Sequence, residues 1–119
     1  MCGIFGYVGP RVDAGRIVVR GIKHLEYRGY DSAGMAVYDP QKEEIFSMKA
    51  VGKIESLEKK LSEVDDMKGS PFIFYTRWAT HGKPSMANAH PHTDCEDHIV
   101  VVHNGIVENY LDLKRRLGE

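Results

Sequence analysis

The chain has 119 residues, a formal net charge of −1, 28% charged and 42% hydrophobic residues. That balance is ordinary for a globular protein: it excludes a disordered chain and supplies no bulk field for nucleic acid or an anionic membrane. Two cysteines are too few for a disulfide scaffold, no secretory signal precedes the first, and no apolar run is long enough to span a membrane. A reduced, cytoplasmic protein without nucleic-acid or membrane partners is expected.

Residues 3–8 carry Ile4, Phe5, Tyr7 and Val8 and leave no polar face, which predicts a strand buried on both sides and stopped by Gly9-Pro10. Between residues 12 and 27, Ile17, Val18, Ile22 and Leu25 form a helical stripe. Gly15 and Gly21 each weaken such a helix by roughly 1 kcal/mol relative to alanine, which makes sense where the helix lies tight against a sheet. Residues 28–34, Arg-Gly-Tyr-Asp-Ser-Ala-Gly, read as a loop. Residues 35–38 are strand-like, Asp39-Pro40-Gln41-Lys42 is a turn, and residues 45–48 return as a hairpin partner. Ile54, Leu57, Leu61 and Val64 repeat at three and four with charges between them, the pattern of a surface amphipathic helix. Residues 72–76 are strand, 77–97 mainly loop, and 99–102 an uninterrupted β-branched strand ended by Asn104-Gly105. Tyr110, Leu113 and Leu117 suit a final helix that Asn109 is placed to cap. Strands outnumber helices, and covering both faces of such sheets takes more helix than is present, so the sequence reads as the first part of a larger domain.

Four groups of residues carry possible chemistry. Cys2 either starts a strand as a small residue or, once Met1 is removed, presents a thiol and a free amine on one carbon. The two ordinarily titrate at about 8.5 and about 7.7–8.0, so the neutral amine can take the thiol proton without help from a histidine. A papain-like pairing of Cys2 with His81 or His103 is the other route to a nucleophile. His81, His90, His92, His98 and His103 cluster around Asp94 and Cys95, but the spacing fits no common zinc pattern, so no metal is expected and loop hydrogen bonds are the plain alternative. Arg77 offers a planar fork for a carboxylate and Trp78 a cover for a pocket, or the two simply pack together at the surface. His103-Asn104-Gly105 supplies an amide and a glycine N–H for an oxyanion, or a hairpin turn. Nucleophile, carboxylate clamp and oxyanion donors are together the set needed for acyl transfer from an amino-acid amide. No phosphate-binding glycine loop is present.

Met1-Cys2-Gly3-Ile4, Arg77-Trp78-Ala79-Thr80-His81-Gly82 and His103-Asn104-Gly105 resemble the motifs of the class II glutamine amidotransferases, a family of N-terminal nucleophile hydrolases. Residues 25–34, 88–92 and 100–109 resemble the branch of that family that converts fructose 6-phosphate to glucosamine 6-phosphate, and the likeness runs the whole length of the chain. The resemblance implies an α+β fold, the αββα four-layer sandwich, with Cys2 at the end of a central strand and about half of the domain present. Residues 1–119 would be the N-terminal portion of a type 2 glutaminase domain, with its remainder and the sugar-phosphate isomerase domains absent. It implies Cys2 as nucleophile and base, Asn104 and Gly105 as the oxyanion hole, and Arg77, Trp78, Thr80 and His81 as substrate-binding residues. Glutamine is the implied substrate, with no cofactor, with fructose 6-phosphate reached only through the isomerase domains, and with a homodimer as the full-length form. The alternative is a fragment that binds or assembles but is not catalytic alone.

Overall fold

A strand sends successive side chains to opposite faces, and here that alternation separates a core from a site. The computed structural model describes residues 2–25, 31–64, 67–79 and 82–118. In chain order the elements are β1 (Gly3–Tyr7), β2 (Val12–Asp13), α1 (Ala14–Leu25), β3 (Ser32–Asp39), β4 (Glu44–Val51), α2 (Ile54–Ser62), β5 (Lys68–Gly69), β6 (Phe72–Arg77), β7 (His92–Thr93), β8 (Val100–Val101) and α3 (Tyr110–Leu117). The main sheet has the order β1-β6-β3-β4 and all its pairings are antiparallel. Two-stranded ladders join β2 to β5 and β7 to β8.

Phe5, Phe74, Met35 and Met48 stand in one row across the four strands, because the register pairs Phe5 with Phe74, Phe74 with Met35 and Met35 with Met48. This face receives Val18 and Ile22 of α1 and Leu57 and Leu61 of α2, which share one buried cluster with Phe72, Phe74 and Met35. Each such side chain contributes about 1.5–3 kcal/mol on burial. A one-residue slip of any strand would send its share to the other face. Asp13 starts α1: its Oδ1 accepts the Arg16 N–H at 3.1 Å, satisfying a donor of the first turn. Gly15 is tight against Met67, whose methyl lies 2.3 Å from where a Cβ would sit, whereas Gly21 makes only ordinary contact with Phe5. The close approach expected of both glycines is therefore real at one, and its partner is the Met67 side chain.

The opposite face carries Tyr75 and Arg77 of β6 and Ser32, Gly34 and Ala36 of β3, which follow from the same register. Ala89 and Pro91 are buried in the segment that crosses this face. Val100 of β8 lines a small hollow there with Ala36, Tyr38 and Ile73. Helices thus cover one side of the sheet and a β-ladder lies on the other, the α–β–β order of the expected sandwich.

Four expectations need correction. β1 is not buried on both sides: it is the outermost strand of the sheet among the described residues, and Ile4 is 53% and Val8 85% exposed. Ser32–Gly34 belong to β3 and not to a loop, and the expected strand 99–102 pairs only at Val100–Val101, with Ile99 exposed. Asn109 precedes α3 without a side-chain capping bond, and α3 buries none of its residues.

Candidate active site

The site is assembled where β6 ends beside the start of the chain. Gly3 pairs with Thr76, so Cys2 falls next to the Arg77–Trp78 turn. The Trp78 backbone N–H donates to Cys2 Sγ at 3.3 Å, and the thiol faces the Trp78 carbonyl at 3.7 Å. Asp31 fixes this turn from behind. Its N–H donates to the Arg77 carbonyl at 2.7 Å, its carboxylate Oδ2 accepts the Ala79 N–H, and its carbonyl accepts the Gly52 N–H at 2.8 Å. One aspartate thereby joins the end of β6 to the start of β3 and the end of β4.

A second strap crosses the Tyr75 side of the sheet. The Lys49 ammonium donates to the Ala89 carbonyl at 3.1 Å, and the His90 ring stacks on Tyr75 with centroids 4.2 Å apart. The His92 ring packs against His90 at 4.5 Å. His90 Nδ1 accepts the His103 backbone N–H at 3.3 Å, while the Tyr75 hydroxyl donates to the His103 carbonyl at 3.4 Å. The peptide groups just ahead of Asn104-Gly105 are therefore held by two side chains. Gly105 adopts φ +151° with the His103 ring against it, a backbone that a larger residue would strain. Arg77 Nη1 donates to the Lys83 carbonyl at 3.5 Å, and Asn88 Nδ2 donates to the same oxygen at 2.9 Å.

A cleft of about 780 Å³ results, lined by Cys2, Tyr75, Arg77, Trp78, His90, His92, His103, Asn104 and Gly105 among others. Five of the seven residues expected at the site are brought together in it, and Thr80 and His81 lie outside the described residues. Sequence reading missed Tyr75, Asp31 and Lys49. The first was findable, since it shares a strand face with Arg77 two residues on; the roles of the other two depend on tertiary pairing. Of the clustered histidines, His90 stacks on Tyr75 and packs against His92, and His98 meets Glu96 at 3.3 Å; among the described residues no group of three or more His, Cys, Asp or Glu side chains converges as metal ligands would.

Burial pushes His90 down from the ordinary 6.5 to about 4, with the neighbouring His92, Arg77, His103 and Lys49 adding to the effect. His92 is lowered too, by burial first and then by Lys49 and Arg77. The folded chain thus holds His90 neutral, the form in which Nδ1 can accept from His103. Because the folded value lies below the unfolded one, the unfolded chain takes up the proton first as pH falls. The stability contributed by the neutral ring is present above pH 6.5 and is lost as pH drops from 6.5 towards about 4. Urea unfolding followed at pH 7.5, 6 and 5 should show the midpoint falling over that window, and the fall should be smaller in His90→Asn.

The solved structure of glutamine phosphoribosylpyrophosphate amidotransferase from B. subtilis, complexed with ADP and GMP, superposes on 97% of this chain and 24% of its own length, with a TM-score of 0.72 and 28% identity. The architecture is that of the N-terminal nucleophile amidotransferases, and the chain belongs to this class II glutamine amidotransferase family. Within the family its relatives are glutamine–fructose-6-phosphate aminotransferases (isomerizing). That of Pyrococcus horikoshii is 57% identical over 117 residues, covering 98% of this chain and 19% of the relative. That of Gloeobacter violaceus is 50% identical over 119 residues, covering 100% and 19%. The chain therefore spans about a fifth of the length of the curated relatives it matches. No family model matches it. The relatives are named as enzymes. No helix among the described residues is long and apolar enough to cross a membrane.

Proposed function

We propose that this chain is the nucleophile-bearing part of a glutaminase domain that releases ammonia from glutamine for the amination of fructose 6-phosphate. The observation that carries the reading is the meeting of Cys2, Arg77 and Asn104-Gly105, far apart in sequence, around one cleft. With Met1 removed, the α-amine of Cys2 accepts the thiol proton and the sulfur attacks the side-chain amide carbon of glutamine. The developing oxyanion is met by the Asn104 amide and the Gly105 N–H. The amine returns its proton to the departing ammonia, leaving a thioester that water hydrolyses to glutamate. Arg77 holds the substrate α-carboxylate through its planar fork, Trp78 covers the cleft, and Thr80 and His81 complete the binding side. No cofactor enters this chemistry. The ammonia would be used by isomerase domains outside residues 1–119, in a cytoplasmic enzyme that works as a homodimer.

Glutamate release by the full-length protein, with the mass of its N-terminal peptide, tests this reading. Turnover without loss of Met1 would contradict it. Arg77→Lys keeps the charge but loses the fork, and should raise KM for glutamine about 10- to 100-fold with a smaller change in kcat. An unchanged KM would remove Arg77 from the substrate site.

A further inference from the structure

We propose that Asp31 is a positioning residue for the nucleophile, fixing the two peptide groups on either side of Trp78 that meet the Cys2 sulfur. The inference rests on the nucleophile role given to Cys2 above. Both peptides are trans, so each points its N–H and its C=O in opposite directions. The peptide between Arg77 and Trp78 accepts the Asp31 N–H at 2.7 Å through the Arg77 carbonyl, and from its other end the Trp78 N–H donates to Cys2 Sγ at 3.3 Å. The next peptide runs the other way round. Its Ala79 N–H donates to Asp31 Oδ2, and its Trp78 carbonyl faces the Cys2 thiol at 3.7 Å. Each peptide thus has Asp31 at one end and Cys2 at the other. Asp31 is itself anchored: its carbonyl accepts the Gly52 N–H at 2.8 Å, and Ser32 beside it pairs with Arg77 on one side and Val51 on the other.

The two Trp78 groups treat the sulfur differently. The N–H can donate to it whether or not it carries a proton, and more strongly to the anion. The carbonyl is a partner only while the thiol proton is there to be donated. A rotation of the turn that carried the N–H away and brought the carbonyl closer would therefore weaken the nucleophile without altering its chemistry. The Asp31 carboxylate opposes that rotation, because the Ala79 N–H would have to leave a charged acceptor. Asp31 takes no part in proton transfer, and the α-amine of Cys2 remains the base.

Three substitutions in the full-length protein lacking Met1 test the role. Asp31→Ala removes the acceptor of the Ala79 N–H. Asp31→Asn loses the charge and keeps an oxygen that accepts it. Asp31→Glu keeps the charge and displaces the oxygens by one methylene. The other titratable and charged groups at the cleft, Tyr75, Arg77, His90, His92 and His103, are common to all three. Relative to Asp31→Asn, the alanine variant should release glutamate with kcat lower by about 10- to 100-fold. Its iodoacetamide alkylation at Cys2 without glutamine should have a midpoint higher by about half to one pH unit, the worth of one hydrogen bond. Peptide mass spectrometry reads that profile against exposed Cys95. Asp31→Asn should recover most of the parent's behaviour in both measurements, and Asp31→Glu should resemble Asp31→Ala. An asparagine variant no better than the alanine one, or a glutamate variant matching the parent, would overturn the proposal. If Asp31→Ala does not unfold cooperatively in urea, the other two decide: asparagine nearer to the parent supports the role, and glutamate equal or nearer overturns it. Absence of turnover in the parent protein would count against the glutaminase reading alone, since the alkylation comparison needs no glutamine.

Discussion

Cys2→Ala should end glutamate release by the full-length protein, with a loss of at least about a thousandfold in kcat, the scale expected when a covalent nucleophile is removed from an otherwise intact site. The variant should fold as the parent does. Cys2 is half-buried ahead of β1, outside the cluster that packs α1 and α2 on the sheet, so thermal unfolding should shift by only a few degrees. What Cys2 does contribute locally is the acceptor for the Trp78 N–H at 3.3 Å, and that bond is peripheral to the core. A second variant divides the two routes to an activated thiol. An uncleavable extension ahead of Cys2 turns its amine into an amide, which cannot take a proton. The amine mechanism predicts that this chain is as inactive as Cys2→Ala, although the thiol is still present and still alkylates. A Cys–His pairing through His81 or His103 predicts near-normal turnover from the same chain. Retained glutamine hydrolysis in the extended form would therefore end the amine mechanism, and retained hydrolysis in Cys2→Ala would end the nucleophile assignment altogether.

Regular periodicity was legible where one face of an element meets a core. Ile54, Leu57 and Leu61 were read as one stripe, and all three are buried in α2. Val18 and Ile22 are likewise buried in α1, and the turn at Asp39-Pro40-Gln41-Lys42 does separate the hairpin β3–β4. Patterns with two possible causes misled. Ile4, Phe5, Tyr7 and Val8 are apolar on both faces, the pattern of a central strand, yet Phe5 and Tyr7 meet the core while Ile4 and Val8 are exposed. Apolarity states what a face could bury, and only the pairing order states what lies against it. The β-branched run at residues 99–102 shows the same limit, since strand propensity needs a partner and β7 offers only His92–Thr93. At the site, Cys2, Arg77, Trp78, Asn104 and Gly105 could be picked out in advance because each stands in a local motif, and all five line the cleft. Asp31 could not, because its role is to pair three segments that the sequence keeps apart. Gly34 was read as a turn residue, and its true reason is a neighbour 56 positions away in the chain, the carbonyl of His90.

Gly34→Ala should be among the most damaging single-methyl changes in this chain. Gly34 sits within β3 on the site face, and a Cβ there would fall 2.0 Å from the His90 carbonyl oxygen, 3.0 Å from its carbon and 2.9 Å from Pro91 Cδ. The obstacles are main chain and a proline ring, so no side-chain rotation relieves them. The strand cannot retreat either, since Gly34 pairs with Lys49 on one side and Tyr75 on the other. The strap must therefore lift, straining the Lys49–Ala89 bond and the His90–Tyr75 stack that hold it down. Overpacking of this kind costs about 1–3 kcal/mol and at times more. The functional loss should be larger than the stability loss. His90 carries the His103 N–H, so lifting the strap moves Asn104 and Gly105 away from Cys2. A displacement of about 1 Å in a reacting geometry costs on the order of a hundredfold in rate. Gly6→Ala is the matched control: it adds the same methyl to β1, where the nearest atoms are 3.9 and 4.0 Å away, and should alter neither stability nor turnover appreciably. Urea unfolding and glutamate release measured on both variants separate the contact from the general cost of a methyl group in a strand. Parent-like values for Gly34→Ala would mean that the strap yields freely, and that the oxyanion segment is not positioned through His90.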